Sequence, residues 1–356
     1  MKLHRVAIDD GGDRALDGAI DHAVHHAVHH AIDRAVSFLL SAQSADGSFV
    51  DWNLPPGPST GWTTAYIGAA LAAVPSDQQA RTAPAARRAA EWLLAHEASD
   101  GGWGYNGEVA GDADSTAHAI LLLAAVGLPI AARSRDRLRA YQRRDGGFST
   151  YGDTEGFGSW GASHADVSAV CGRAMLAMGE IPASPAVRRC LAFTAAQRAA
   201  RGLWPSFWWR SPLYATQANL AWLIAADAPL DRRLTERGLA AELSNTAFER
   251  ALWLDAWLRV SAASAPNATL VLRALLAEQQ ADGGWPSAPM LRVTRRDCTE
   301  PWAAADAGAL YADPKRFFTT ATVLRALSIA VAVAVSPSLA QAALRPTARP
   351  PSPESC

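Results

Sequence analysis

Gln279-Gln-Ala-Asp-Gly-Gly-Trp285 is the clearest copy of a pattern that recurs along the chain: a helix, then Gln-x-x-Asp-Gly-Gly and an aromatic residue, then another helix. Complete or degraded copies precede it at Gln43–Phe49, Glu97–Trp103, Gln142–Phe148 and Gln197–Trp204. A repeated helical unit can bury its apolar face only against its neighbours. The repetition therefore predicts a helical architecture built by stacking one unit on the next.

Two kinds of predicted helix alternate between these loops. Helices of the first kind have one charged and one apolar face, as half-exposed helices do, and are expected near 31–43, 84–97, 133–143, 185–198, 232–243 and 267–279. Helices of the second kind are apolar almost all round and therefore buried; they are expected near 62–75, 114–127, 165–179, 213–226, 246–262 and 318–334. The alternation predicts an all-α fold, an (α/α)6 toroid or barrel of six inner and six outer helices. An open helical solenoid is the alternative.

The predicted barrel spans residues 21–335. A disordered N-terminus, 1–20, precedes it and a disordered Pro/Ser-rich tail, 336–356, follows it. The N-terminal residues lack the apolar core of a signal peptide, and the most apolar stretch, 326–335, is shorter than the ~20 residues of a membrane span. A net charge of −1 offers no basic surface for nucleic acid, and four scattered cysteines favour reduced thiols. We expect a cytoplasmic protein with no nucleic-acid partner and no transmembrane segment.

The repeats resemble the QW repeats of the terpenoid cyclase and protein prenyltransferase superfamily, which join an inner and an outer barrel of six helices each. The resemblance extends over about 30–334 and is more specific for the fold than for the activity. The zinc-dependent protein prenyltransferases of this superfamily use an Asp, a Cys spaced from it by one residue and a late His as zinc ligands. Here Asp297 and Cys298 are adjacent and no histidine follows His164, so this activity is disfavoured. A thioester domain is disfavoured because the chain lacks Cys-Gly-Glu-Gln.

Functional groups are expected at the N-termini of the inner helices, which all face one end of such a ring. Asp112-Ala-Asp114-Ser115-Thr-Ala117 opens the second inner helix and is similar to the Asp-x-Asp-Asp-Thr-Ala motif of class II terpene cyclases. The resemblance implies that Asp114 is the general acid that protonates an alkene or epoxide, with Asp112 as its helper. Ser115 replaces the last Asp and removes an anion that would raise the pKa of Asp114. Simple N-capping of the helix is the alternative.

The same resemblance implies a histidine that hydrogen-bonds the acid. His164 begins the neighbouring inner helix and is our candidate, whereas a capping or loop histidine paired with Asp166 is the alternative. His118 lies one turn after Asp114 on the same side of its helix. The expected catalytic group is therefore Asp114, Asp112, His164, His118 and Ser115.

Aromatic residues are a second indication of function, with 13 Trp in the chain. The faces of aromatic rings stabilise a desolvated cation by about 2 kcal/mol or more each, so aromatics outside the repeat turns are expected to line a cavity that shelters a carbocation. The expected substrate-binding residues are Trp62, Tyr66, Trp160, Trp208, Trp209, Tyr214, Trp222, Trp253, Trp257, Phe317 and Phe318. Ordinary core packing is the alternative for at least half of them.

Together these features favour a compact, one-barrel relative of the class II terpene cyclases that carries out proton-initiated cyclisation or isomerisation of an isoprenoid or other polyene. The expected partner is an apolar small molecule. A peripheral contact with a membrane is compatible with such a substrate. No cofactor is expected, and Mg²⁺ would enter only with a diphosphate substrate. Well-known class II cyclases place their active site between two barrels, so here the insertion at 286–316 is expected to close the cavity. A non-catalytic barrel that binds a lipid or peptide, and an acid-catalysed cyclase of a non-terpenoid substrate, are the alternatives.

A histidine cluster precedes the first predicted helix, at His22, His25, His26, His29 and His30. Pairs four residues apart share a helical face and could hold a transition metal. Adventitious binding or sequence drift is the favoured interpretation, and we predict no metal site.

Overall fold

The computed structural model describes residues 10–152, 156–242, 244–261 and 266–335. Twelve α-helices in these residues form two concentric sets. The inner helices are α2 (Gly61–Ala72), α4 (Ala113–Ala125), α6 (Ala165–Ala177), α8 (Leu213–Ala225), α10 (Ala247–Val260) and α12 (Phe317–Val335). The outer helices are α1 (Asp10–Ala42), α3 (Gln79–Ala95), α5 (Ala132–Ala140), α7 (Pro185–Ala196), α9 (Arg232–Ala241) and α11 (Pro266–Glu278).

The inner helices form a closed ring. Each packs against the next along the chain, and α12 packs against α2. The predicted (α/α)6 toroid is therefore confirmed, and the open solenoid is wrong. The ring closes because every inner helix is apolar on most of its surface and needs a neighbour on both flanks.

The repeat glycines lie in the tight turns that follow the outer helices, in the left-handed region with φ between +86° and +97°. Gly283 also has no room for a side chain, since a Cβ atom there would lie 2.4 Å from the Arg34 carbonyl oxygen.

The repeat glutamine makes hydrogen bonds within its own loop and to the neighbouring unit. Gln279 Nε2 donates to the carbonyl oxygens of Gly283 and, at 2.9 Å, of Ala31. This second hydrogen bond joins the last outer helix to the first.

In the three repeat copies that end in tryptophan, this residue connects the loop to both helices of its unit. Trp285 Nε1 donates to the Leu275 carbonyl oxygen of α11 at 2.7 Å, and its backbone N–H donates to Thr320 Oγ1 of α12 at 3.2 Å. Trp103 and Trp204 make the same two bonds. The inner-helix threonine is thus part of the repeat, which the loop pattern alone did not indicate.

Two small hairpins lie at the N-terminal end of the inner ring. β1 (Asp51–Leu54) pairs with β2 (Gly57–Ser59), and β3 (Leu291–Thr294) pairs with β4 (Gly308–Tyr311) inside the 286–316 insertion. The Arg292 N–H donates to the Trp208 carbonyl oxygen at 2.6 Å, which attaches the second hairpin to the ring. Short 3₁₀ turns occur at Ser76–Gln78 and Gly158–Gly161.

The N-terminal boundary differs from our expectation. α1 begins at Asp10, inside the segment expected to be disordered and well before residue 31. The stretch is rich in Ala and free of Pro, so no residue in it interrupts a helix. Residues 1–9 and the tail 336–356 lie outside the described residues, and the predicted disorder there stays a prediction.

One helical segment among the described residues, Phe317–Ala334, has the length and apolar composition of a membrane span. It extends beyond the 326–335 stretch identified in the sequence. Most of it is buried in the protein, because it belongs to the inner ring.

Candidate active site

A cavity of about 510 Å³ lies at the N-terminal end of the inner ring. The first turns of α4 and α6 contribute three aspartates to it, Asp112, Asp114 and Asp166, while most of its wall is apolar or aromatic. Leu291 and Val293 of β3 form part of the wall, so the 286–316 insertion does border the cavity as expected. The volume lies within the roughly 300–1,000 Å³ of small-molecule sites.

Asp112 is the N-cap of α4. Its Oδ1 accepts the Ser115 N–H and its Oδ2 accepts the Ser115 hydroxyl, both at 2.7 Å. Burial raises the pKa of Asp112 to about 6, although these hydrogen bonds oppose the shift. The capping interpretation therefore applies to Asp112, and Ser115 serves to hold that cap.

Asp114 lies on the first turn of α4 with 21% of its side chain exposed, and it lines the cavity. Burial raises the pKa of Asp114 well above its ordinary value, and the negative charges of Asp112 and Asp166 add to the effect. The nearby Trp62 indole lowers the pKa of Asp114 and so opposes these effects. The Asp114 carboxyl therefore keeps its proton to a higher pH than an ordinary aspartate.

Asp166 is the cavity residue that sequence reasoning underestimated. It is buried on the first turn of α6, where its Oδ2 accepts the N–H groups of Phe207 and Trp208 at 2.9 and 3.0 Å. The sequence feature that could have identified Asp166 was its position at the start of the neighbouring inner helix. Asp166 supplies negative charge near Asp114. It thereby compensates for the anion that is missing because Ser115 replaces the last Asp of the motif.

His118 lies beside Asp114, as its position one turn further along α4 predicted, whereas His164 does not. His118 Nε2 lies 3.9 Å from Asp114 Oδ1 and 3.5 Å from the Tyr214 hydroxyl. Burial, together with the charges of Arg325 and Arg173, lowers the pKa of His118 to about 3, so its ring is neutral. His118 thus takes the place beside the acid that we expected for His164.

His164 borders a second cavity of about 250 Å³, with Gln197, Glu300 and Trp302. Its ring stacks on Phe207 with 3.6 Å between centroids, and its buried Nε2 has no hydrogen-bond partner among the described residues. The expected contact with Asp114 is corrected here. The physical reason is that His164 is the extended residue preceding α6 (φ −126°, ψ 142°) and does not share the orientation of the helix.

Five of the expected aromatics line the cavity: Trp62, Trp160, Trp208, Trp209 and Tyr214. Three further aromatics of the wall, Tyr105, Tyr151 and Phe157, lie in loops and were not predicted. Nothing in the repeat pattern marks these loop residues, because their approach to the cavity depends on how the loops fold over the ring.

The other expected aromatics pack elsewhere. Tyr66 and Phe318 stack on each other with 3.8 Å between ring centroids, and the Tyr66 hydroxyl bonds Thr322 at 2.8 Å. Phe317 packs against Phe38 of the outer helix α1.

The remaining three tryptophans also fill the core. Trp222 packs against Gly172 of α6. Trp253 donates to the Leu239 carbonyl oxygen at 2.8 Å and stacks on Trp257. Core packing is therefore the correct interpretation for these six expected residues, since none of them contributes to the cavity wall.

Arg296, from the insertion, lies exposed at the rim of the cavity. Its guanidinium carbon is 4.9 Å from the Trp160 ring centroid and 5.6 Å from that of Phe157. Its Nη1 donates to the Gly156 carbonyl oxygen at 2.9 Å. Sequence analysis did not select this residue.

The histidine cluster lies on α1. The rings of His25 and His29 have centroids 4.6 Å apart, and His29 Nδ1 is 3.7 Å from Asp77. The side chain of His22 is outside the described part of the structure. Across the described residues, no three His, Cys, Asp or Glu side chains form a group that could hold a metal ion.

Comparison with known proteins gives similarities in sequence and fold. The family model of the squalene-hopene cyclase C-terminal domain matches residues 9–158. A variant of the type II terpene cyclase MstE from Scytonema, in complex with geranylgeranyl dihydroxybenzoate, has a TM-score of 0.76 and 25% identity, covering 88% of this chain and 99% of that one. Another MstE variant, in complex with its product merosterolic acid A, has a TM-score of 0.75 and 25% identity, over 87% and 99%.

Two other structures extend the comparison. A protein from Actinoplanes has a TM-score of 0.74 and 26% identity, covering 84% of this chain and 98% of that one. The ent-copalyl diphosphate synthase from Streptomyces platensis has a TM-score of 0.54 and 18% identity over 76% and 50%, which shows a shared fold. No curated protein matches the sequence.

Proposed function

We propose that this chain, which is class II terpene cyclase-like in its repeats and its fold, starts the cyclisation or isomerisation of an isoprenoid by protonating it with Asp114. The observation that carries the proposal is the Asp114 carboxyl group, whose pKa is raised by burial and by two neighbouring aspartates, on the wall of a mostly apolar cavity. Such a group is protonated where a carboxyl in water is not.

In the proposed reaction, the π electrons of an alkene take the proton from the Asp114 carboxyl. A carbon–hydrogen bond forms, a carbocation remains on the more substituted carbon, and Asp114 becomes a carboxylate. The next alkene attacks the cation and closes a ring, until a proton is lost or a nucleophile is captured. The faces of Trp62, Trp209 and Tyr214 border this part of the cavity and stabilise positive charge.

The similar structures support an isoprenoid ligand. MstE is a type II terpene cyclase observed with a geranylgeranyl-derived ligand, and the alignment covers 99% of its chain. A protein of the size of one barrel therefore accommodates such a ligand. In this chain both hairpins contribute to the cavity wall, through Leu54 and Leu291 among others.

The proposal needs no redox cofactor, and Mg²⁺ would take part only with a diphosphate substrate. A cytoplasmic location stays a prediction. The rival proposal, a non-catalytic binding barrel, drew support from Ser115. The charge of Asp166 weakens that support, because Asp114 still has two anionic neighbours.

The direct test is incubation with prenyl substrates from C10 to C30, including geranylgeranyl dihydroxybenzoate, for wild type and Asp114→Asn. We expect cyclised products with the wild type and a loss of at least about 10²-fold in kcat with the variant, since general acids contribute roughly 10²–10⁴-fold. Asp136→Asn is the control, because that side chain is 75% exposed on α5. Turnover that survives Asp114→Asn would remove the acid role. Binding of polyenes without turnover of any of them would favour the binding barrel.

A further inference from the structure

The cavity of about 250 Å³ beside His164 has no part in the proposed reaction. Its wall is formed by the start of α6, by the loop that contains Phe207 and by the 286–316 insertion. Among the described residues, it shares none of its lining with the cavity that contains Asp114. Its volume lies below the roughly 300–1,000 Å³ of drug-sized sites, so a ligand of this space must be small.

His164 presents an unused hydrogen-bond acceptor to this cavity. Its side chain is buried, and its Nε2 has no partner among the described residues. Burial lowers the pKa of His164 to about 3, so the ring is neutral, while a hydrogen bond with the Ser159 backbone opposes that shift. A hydrogen bond that raises the pKa of a histidine is one in which the ring donates. Nδ1 therefore carries the proton, and Nε2 is left as the acceptor nitrogen.

The fourth repeat loop releases a glutamine to the same cavity. In three other repeats the glutamine amide donates to its own loop and to the next outer helix, as Gln279 does. Here Arg198 makes both bonds, from Nε to the Gly202 carbonyl oxygen at 3.2 Å and from Nη2 to the Asp231 carbonyl oxygen at 2.7 Å. Gln197, one residue earlier, lines the cavity instead and forms no side-chain hydrogen bond with another described residue. Its amide is thus available to a ligand.

The charge of the wall favours a cation. None of its described residues is Lys or Arg, whereas Glu300 contributes a carboxylate. The hydroxyl of Ser163 already donates to Asp145 Oδ1 at 2.8 Å, so it is not a free donor for an anion. Trp302 is 50% exposed, and the face of an indole attracts a positive charge.

We propose that this cavity is a second binding site, specific for a small organic cation: a primary ammonium that donates to His164 Nε2 and places its charge beside Glu300 and Trp302. An ammonium has three N–H donors, so one remains for the Gln197 amide oxygen. The positive end of the α6 dipole borders the cavity, but Asp166 on the first turn opposes it. Water could also donate to Nε2, but it carries no charge for Glu300 and Trp302, and this difference is measurable.

Binding is tested by calorimetry at neutral pH with three probes that share a C4 chain: n-butylammonium, n-butanol and butyrate. We expect saturable binding of one n-butylammonium per protein, and affinities at least about tenfold lower for the other two probes. Nitrogen-15 NMR of histidine-labelled protein gives a second readout, because the Nε2 resonance of His164 should shift as it accepts a hydrogen bond. The resonance is identified by its loss in His164→Phe.

Two substitutions remove the proposed contacts separately. His164→Phe keeps a ring to stack on Phe207 and deletes the acceptor, so the affinity for n-butylammonium should fall by about tenfold. Glu300→Gln keeps the shape of an exposed side chain and deletes its charge, and should lower that affinity by about threefold. Asp306→Asn is the matched control. It lies in the same insertion, is 75% exposed and does not line the cavity, so the affinity should not change.

The absence of saturable n-butylammonium binding would mean that the cavity holds only water, and it would overturn the site. So would an affinity for n-butanol or butyrate that equals that for n-butylammonium, or an affinity that neither His164→Phe nor Glu300→Gln lowers. An equal loss in Asp306→Asn would show a general effect of surface charge and would also contradict the proposal. No measurement involves turnover, so the outcome is independent of the proposed cyclisation.

Discussion

Three aspartates at one end of the ring have different hydrogen-bond partners and therefore different chemistry. Asp112 accepts two hydrogen bonds from Ser115, and Asp166 accepts N–H groups of the loop that contains Phe207. Among the described contacts, Asp114 accepts no backbone N–H group. Hydrogen bonds to a carboxylate favour its charged form, so without backbone donors Asp114 has less to oppose the burial and the neighbouring charges that raise its pKa.

The charge of Asp166 should be visible in the pH profile of kcat/KM. Activity needs protonated Asp114, so it is present at low pH and declines as pH rises through the raised pKa. Asp166→Asn removes one negative neighbour, lowers the pKa of Asp114, and should move this decline to lower pH. Burial is the largest cause of the shift and is kept, so the decline should stay above the range of an ordinary aspartate.

The control for this profile is Asp136→Asn, whose carboxyl is at the surface of α5. An unchanged or upward-shifted decline in Asp166→Asn would contradict an electrostatic role for Asp166. Asparagine keeps one oxygen for the N–H groups of Phe207 and Trp208, so the loop has an acceptor in the variant.

Sequence reasoning was strongest for the acid motif and weakest for its neighbours. The motif fixed Asp114 at a helix start, and helical geometry then placed His118 one turn below it. His164 was misplaced because it precedes α6, where the backbone is extended and the direction of a side chain does not follow helical periodicity. Asp166, two residues later, does lie on the helix and lines the cavity.

At the level of the element, the inner helices explain why half of the aromatic prediction was wrong. A helix that is apolar on every side gives no periodic signal for the face that looks into the ring. Trp222 is an example: it turns to α6 and packs on Gly172, where a Cβ atom would lie 2.7 Å from the indole. A glycine on one helix thus makes the space for a tryptophan on the next.

Gly172→Ala should therefore destabilise the protein although alanine is the better helix former. Overpacking costs roughly 1–3 kcal/mol, and the gain in helix propensity offsets about 1 kcal/mol of it. We expect the free energy of unfolding, measured in urea, to fall by about 1 kcal/mol, and by no more than about 2 kcal/mol. Gly161→Ala is the control, because a Cβ there meets nothing within 4 Å. A Gly172→Ala protein as stable as wild type would show that α6 and α8 are loosely packed.

For the whole molecule, the decisive contact is the one between the first and last outer helices. The Gln279 bond to Ala31 has the same form as the bond of Gln142 to Ala186, between outer helices that follow one another in the chain. A ring makes every junction equivalent, including the one that joins distant parts of the sequence.

Gln279→Ala should then cost about as much stability as Gln142→Ala. Each variant loses the two hydrogen bonds that the amide donates, of roughly 0.5–1.5 kcal/mol each, so we expect the free energy of unfolding to fall by about 1–3 kcal/mol in both. Gln142→Ala also loses an exposed hydrogen bond from Arg189, which adds little. Arg237→Ala, at an exposed position of α9, should change it by less than about 0.5 kcal/mol. An effect with Gln142→Ala and none with Gln279→Ala would mean that the ring is open in solution.

The order of the helices could be predicted from sequence because the repeats fix it, and most helix ends lie within a few residues of the predicted ones. The hairpins were not predicted. β1 and β3 have four residues each, too few for an alternating pattern to stand out. The residues of the cavity wall that depend on the hairpins, including Arg296, could therefore not be predicted from the sequence pattern.

The insertion that contains β3 and β4 is attached at both ends to fixed points of the barrel. Trp285 anchors one end to α11 and α12, and Asp313 anchors the other by accepting the Thr319 N–H at 2.7 Å. The ring beneath it carries the acid, whereas the insertion carries Leu291, Val293 and Arg296. Exchange of this one surface segment would change the shape of the cavity and leave Asp114 in place. If the proposed reaction holds, such an exchange is a simple evolutionary route from one cyclic product to another.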